Sequence, residues 1–294
     1  MTLLLQTLIF GALTGGVYAL MSSGFTLIFG VMRVINLAHG ALLILAAYLT
    51  WWLWNRTGID PLALGAGISV VMYGVGWLLY KAVIARVQRI DPELTLVASF
   101  AVAIAGAGAI ALIAGTEARA ATPSYFNTSF HVGGLVVPRA QLYACIGALI
   151  LLGCLYALLH RTALGRSIRA CATSRDGAAL VGIDVERTMA QMFAIGCATT
   201  GFGGGALAVL YQFVPDSHYV WIGRVLCVVV LGGLGSFAGA ALGAAILGFG
   251  EALTAAYWDA RWITAVPYML IIAILVVRPD GLLGARTRID GNTG

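Results

Sequence analysis

Thr14, Tyr18 and Ser22 follow one another at four-residue spacing, which sets three hydroxyls on one face of any helix that carries them. Ser23 and Thr26 lie close by, and residues 1–32 around them hold no charge. At membrane depth, hydroxyls can hydrogen-bond a polar solute without the cost of burying an ion. They can equally bond back to their own helix or to a neighbour. Asn36 and His39 come next and could serve either a solute or a freed backbone group. Glu251 interrupts the apolar stretch 237–256, where a carboxylate either faces a water-filled path or sits near the outer end of its helix. These six residues form the candidate solute path.

No comparable constellation supports catalysis, and no catalytic residue is assigned. The single lysine, Lys81, is followed by Ala82-Val83, so the Gly-Lys-Ser/Thr of a Walker A phosphate loop is missing. There is no HExxH, and His39, His131, His160 and His218 are dispersed, as are the acids. The five cysteines form no CxxC and fall mostly inside apolar runs, which makes them small buried residues rather than metal ligands or disulfides. Neither a metal site nor a cofactor is expected.

The elements that must position the polar residues follow from composition. Of 294 residues, 61% are hydrophobic and 10% charged, with a mean hydropathy of +0.95. Soluble domains carry roughly 25% charged residues, so a soluble fold is excluded. Charge-free runs occupy 1–32, 34–55, 61–80, 94–116, 140–159, 188–215, 225–250 and 262–277. A membrane-spanning helix needs about 20 apolar residues, and barrel strands would alternate instead. The expected fold is therefore all-α and polytopic, with about eight transmembrane helices in a single membrane domain over 1–294. No Lys or Arg precedes the first run, which is too long for a signal peptide and reads as a membrane helix.

Arginine placement orients these helices. Blocks 81–93, 160–187 and 278–290 hold most of the basic residues and belong in the cytoplasm by the positive-inside rule. That makes 116–139 an outer loop, 160–187 a cytoplasmic loop and 278–294 a cytoplasmic tail. Basic residues at helix ends mark a lipid bilayer, not nucleic acid. Arg56, Arg119, Arg139, Arg224 and Arg261 are assigned to the other short loops. Simple counting would leave the tail outside. A break at Gly232, Gly233, Gly235 and Ser236 repairs it, with 224–234 as a half-helix entering from outside and 237–256 returning. A second break falls at FGVMRVINLAHG, so re-entrant or broken half-helices are expected near 30–40 and 230–240. Two such breaks suit a pseudo-repeat of two halves, although no residue-level repeat links them.

The one long polar stretch is 160–187. Within it Ser174–Val181 reads as a short helix, capped by Thr173 or Ser174 and ended by Gly182. Its AALVGI stripe should seek a protein groove.

Four strings in order then carry a resemblance: GALTGGVYALMSSGFTLIFGVMRVINLAHGALL, GRSIRACATSRDGAALVGIDVERTMAQMFAIG, VVVLGGLGSFAGAALGAAILGFGEAL and VVRPDGLLGAR. Together they resemble LivH-type permease subunits of branched-chain amino acid ABC transporters, a group that includes urea and amide permeases. The resemblance covers most of 8–50 and 162–286. It implies a permease in the plasma (inner) membrane of a prokaryote. Its partners would be a second homologous permease subunit (identical or different), two cytoplasmic ATPase subunits that consume ATP, and an extracytoplasmic solute-binding protein. GAALVG (177–182) looks like a shortened ATPase-docking loop: Gly177 replaces the usual acid, the gap to Gly182 is one residue shorter and no Leu-Pro follows. Arg169, Ser174, Arg175, Asp176, Ala178, Ala179, Gly182 and Ile183 are the expected coupling residues. Branched-chain or other amino acids are the first expectation for the solute. Urea or short amides are the alternative, and an ATP-independent channel or secondary carrier using Glu251 or His39 is a further one.

Overall fold

With neither charge nor proline to interrupt it, the first apolar run forms one helix, α1, over Thr2–Met32. A computed structural model describes residues 2–284 apart from Pro92, so the expected tail beyond 284 lies outside the described residues. After α1 come α2 (Ala38–Thr57) and α3 (Pro61–Leu79), which continues through a π turn at Tyr80–Ile84 into α4 (Ala85–Ile90). α5 (Leu94–Ala114) precedes a hairpin of antiparallel strands β1 (Ser129–Val132) and β2 (Leu135–Pro138). α6 (Arg139–Arg161), α7 (Ala163–Thr173), the short α8 (Arg175–Leu180) and α9 (Val185–Leu210) follow. α10 (His218–Gly232), α11 (Phe237–Tyr257), a 3-10 turn at Ala260–Ala265 and α12 (Val266–Val277) complete the all-helical bundle. Among the described residues, six helices are long and apolar enough to cross a bilayer. α2 and α12 fall short in length or apolarity, which separates that number from the eight expected; α10 is the expected half-helix.

α9 is the central helix. Of its most apolar window 83% is buried, against 22–39% for the other five spans. A helix enclosed on several sides needs small residues where backbones approach. Gly201 and Gly205 accordingly face Ser69 and Gly65 of α3, and Gly196 faces Gly24 of α1.

The two ends of the bundle differ in what they join. At one, Gln6 of α1 exchanges two hydrogen bonds with the backbone of Val136 in the hairpin, and Arg119 bridges Phe213. At the other, the basic end, Arg89 pairs with Glu186 at 2.8 Å and Arg175 Nη2 donates to the Met32 carbonyl at 3.4 Å.

Both expected breaks are present. His39, in the first turn of α2, bonds through Nε2 to the Met21 carbonyl at 2.8 Å, eleven residues before the end of α1. Residues 33–37 must therefore climb back about 16 Å, which five residues of extended chain can do. Arg33 makes the turn with φ of 55°. Ser99 of α5 receives the Leu37 N–H at 3.1 Å, closing part of the exposed backbone. The second break ends α10 at Gly232. Gly233 (φ 98°) and Gly235 (φ 85°) turn the chain, and Ser236 Oγ caps α11 by accepting from Gly239 N at 3.0 Å. α10 begins at His218, six residues before the expected start of this half-helix. The segment after α12 folds back on the same break: Leu282 N and Leu283 N donate to the Leu231 and Gly232 carbonyls, each at 2.9 Å. The breaks also meet each other, since a methyl on Gly30 would lie 3.2 Å from Gly235 Cα.

A side chain at Gly233 would combine a left-handed backbone with a Cβ 2.3 Å from Gly284 N. Gly233→Leu should therefore dislodge the 278–284 turn and cost roughly 1–3 kcal/mol or more. In hydrogen exchange, the Leu282 and Leu283 amides should lose their protection; unchanged protection would show that the turn does not depend on this glycine.

Candidate functional site

The hydroxyl face of α1 divides in two. Ser22 bonds to the carbonyls of Tyr18 (2.8 Å) and Ala19 (3.2 Å), Ser23 to Leu20 and Thr26 to Ser22, so these three serve their own helix. Asn36 Oδ1 accepts from Ala38 N at 3.2 Å, and His39 is held by the Met21 carbonyl, so both serve the first break. Tyr18 and Glu251 do come together, 233 residues apart in sequence.

Glu251 is the hub. Its Oε2 accepts from the Tyr18 hydroxyl at 2.5 Å and its Oε1 from Arg224 Nε at 2.8 Å. The Tyr211 hydroxyl stands 3.3 Å from that of Tyr18. Trp221 forms a wall, with Tyr18 and Tyr211 edge-on to it and the Arg224 guanidinium carbon 5.0 Å from its ring centre. The arginine and glutamate side chains are only 10% and 8% exposed.

Above the pair opens a cavity of about 380 Å³, lined by Thr14, Gln141, Tyr211, Arg224 and Glu251 among apolar neighbours. Gln6 also lines it, which places its mouth toward the hairpin end. Two features leave hydrogen-bonding capacity unused. Among the described residues, the terminal nitrogens of Arg224 have no protein partner, Nε alone being engaged. The buried Gln141 Oε1 likewise has none. The cluster thus offers donors for an anion and acceptors for a cation side by side.

Arg224 is a correction to the sequence reading, which put it in an outer loop. The earlier start of α10 carries it inside that helix, 9% exposed. The signal was present: a lone arginine and a lone glutamate in neighbouring apolar segments are each costly unless paired. Tyr211 and Gln141 gave no such signal.

At the basic end, Ser174 caps α8 by accepting from Gly177 N at 3.0 Å. Gly182 (φ 82°) ends it, with Gly182 N and Ile183 N donating to the Ala179 and Ala178 carbonyls at 3.0 Å. Ala178 is buried and Ile183 half-buried, whereas Asp176 and Ala179 are exposed. Leu180 and Val181 stand 88% and 75% exposed at the tip. Arg169 donates to the Leu159 carbonyl and ties α7 to α6, while Arg175 ties α8 to the last carbonyl of α1.

A bundle of membrane-length helices with two abutting breaks, an end-opening cavity with an ion pair in its wall and an apolar turn projecting from its basic end defines a membrane transport subunit. The family model described as branched-chain amino acid transport system / permease component matches residues 7–275, and the chain belongs to that family. It is similar to the high-affinity branched-chain amino acid transport system permease protein LivH of Escherichia coli (strain K12), at 29% identity over 95% of both chains. The corresponding protein BraD of Pseudomonas aeruginosa is 27% identical over the same shares. The fructose import permease protein FrcC of Rhizobium meliloti is 24% identical, over 83% of this chain and 68% of its own. No solved structure matches.

Removing one partner of a buried ion pair leaves the other uncompensated, at about 3–5 kcal/mol. Arg224→Ala and Glu251→Ala should each destabilise by that order in detergent unfolding. The double variant Arg224→Met with Glu251→Leu should recover most of the loss. Single-variant effects below about 1 kcal/mol would mean that the pair is solvated.

Proposed function

We propose that this chain is the permease subunit of an ABC importer for small zwitterionic amino acids, with Arg224 and Glu251 as its solute-recognition pair. The carrying observation is the unused hydrogen-bonding capacity in the cavity wall. A solute α-carboxylate can take the free nitrogens of Arg224, and an α-ammonium can take Glu251 and Gln141 Oε1. Separating a buried pair is costly, and a zwitterion compensates both charges at once. Urea, a short amide or a sugar compensates neither. Phe10, Ala252 and Ala255 in the same wall suit an aliphatic side chain, in keeping with relatives named for branched-chain amino acids.

The energy source is external to this chain. Leu180 and Val181 at the tip of α8 supply an apolar surface for a groove on each of two cytoplasmic ATPases, and the hairpin end receives a solute-loaded binding protein. A second permease subunit completes the path. Arg175, Met32, Gly30 and Gly235 form a line of contacts from α8 to both breaks. Displacement of α8 by ATP-driven closure is thereby transmitted to the segments whose repacking alternates access. A self-sufficient channel or carrier would have no use for that line.

Two measurements test this reading. Proteoliposomes of the assembled transporter carrying Arg224→Met with Glu251→Leu should insert and bind their ATPases normally yet lose at least about tenfold in leucine uptake, a change of ~1.4 kcal/mol or more; wild-type uptake would remove the pair from the solute path. Deleting Arg175–Gly182 should preserve membrane insertion and abolish co-purification of the ATPases. Retention of the ATPases by that deletion would sink the docking role of α8.

A further inference from the structure

α3 and α6 both pack on α9, and between them a groove is left open whose floor is Leu20 of α1 with Ile195 and Ala198 of α9. Its volume is about 410 Å³ and its walls, including Val70, Leu151 and Leu155, are almost wholly apolar. Tyr73 also lines a second cavity, of about 630 Å³, at the basic end. Here the lining changes character, to Trp77, Lys81, Asp184, Glu186, Arg187 and Gln191. Neither cavity touches the Arg224–Glu251 cluster, and the solute path uses none of these residues.

The charges in the second cavity are balanced, two cations against two carboxylates. Lys81 Nζ lies 4.1 Å from the centre of the Trp77 ring and has no carboxylate partner among the described residues. The Arg187 side chain likewise makes no ion pair among them. Asp184 Oδ1 caps α9 and Glu186 Oε2 binds Arg89, which leaves one carboxylate oxygen on each without a hydrogen bond. A site that presents ammonium and guanidinium donors beside free carboxylate oxygens, at the end of an apolar slot, matches a molecule with a phosphate, a primary ammonium and a hydrocarbon chain.

We propose that these two cavities form one binding site for a phospholipid with an ethanolamine-type headgroup. Its phosphate is held by Lys81 and Arg187, its ammonium by Asp184 and Glu186, and one acyl chain lies in the groove between α3 and α6. The charge set argues for lipid as the occupant: two cations and two carboxylates at one end of an apolar groove match a zwitterionic headgroup with its hydrocarbon chain. Within a bilayer the acyl chain gains little by moving from lipid to protein, because both are apolar. Selectivity therefore resides in the charged cavity that receives the headgroup. Trp77 adds an interfacial anchor.

Native mass spectrometry of the full chain, released from micelles doped in turn with dioleoyl phosphatidylethanolamine, phosphatidylcholine and phosphatidylglycerol, tests the site. Wild type should retain one phosphatidylethanolamine at least about fivefold more than phosphatidylcholine, whose trimethylated nitrogen cannot donate to the carboxylates. Lys81→Gln with Arg187→Gln, both at exposed positions, should abolish that preference. A second variant, Val70→Trp, should reduce retention by obstructing the groove while leaving the charges untouched. Equal retention of the three lipids by wild type, or a preference unchanged in the charge variant, would overturn the proposal. A preference for phosphatidylglycerol would overturn the ethanolamine assignment. Cross-linking of Val70→Cys to a neighbouring subunit in the assembled transporter would show that protein covers the groove, and would overturn it too.

Discussion

A polar backbone group at membrane depth has no water to bond, and this bundle is arranged around the two places where its chain stops being helical. At the first break the Leu37 N–H is met by Ser99 from α5 and the Ala38 N–H by the Asn36 side chain. At Gly232 the last carbonyls of α10 are met by the turn that follows α12. Each break is thus closed by an element distant in sequence, α5 for the first and the turn after α12 for the second. The breaks also abut, Gly30 against Gly235, with no side chain between the backbones. The least regular parts of the chain are therefore in direct contact, and a shift at one is felt at the other.

The second constraint is charge. Arg224 and Glu251 are each nearly enclosed, and neither is tolerable without the other. Their pairing fixes the register between α10 and α11, while the Tyr18 hydroxyl on Glu251 fixes α1 against both. Such a pair contributes little net stability compared with apolar residues of similar volume. In the solute-recognition role proposed above, the pair offers charges already desolvated, with donor capacity left open on the arginine.

The basic end translates these features into a mechanical arrangement. α8 is too short to be stable alone, and it is held by the Ser174 cap, by the turn at Gly182 and by Arg175 on the final carbonyl of α1. A cation at a helix C-terminus is favourably placed. Leu180 and Val181 are left outward, on a short helix tied through Arg175 to the first break. The charged cavity beside Lys81 lies at this same end, but on the α3–α9 face.

Much of this was legible in the chain. Length of apolar run gave the spanning helices, because a bilayer admits little else. Glycine spacing with a capping serine gave the break at 232–236, because only glycine takes the backbone angles required there. Ser174 and Gly182 bounded α8 by capping chemistry alone. These are local consequences, decided within a few residues. What local chemistry could not decide was partnership. Ser22 and Glu251 both read as polar residues on apolar helices, yet one bonds its own backbone and the other gathers Tyr18 and Arg224 from across the molecule. Arg224 read as a loop residue until α10 began six positions sooner and enclosed it. RPDGLLG read as a tail, and packing made it the cap of α10. Sequence determined which segments enter the membrane and where they break; only the tertiary structure decided which polar groups meet, because meeting depends on the register of separate helices, with Arg224 27 and Tyr18 233 residues from Glu251.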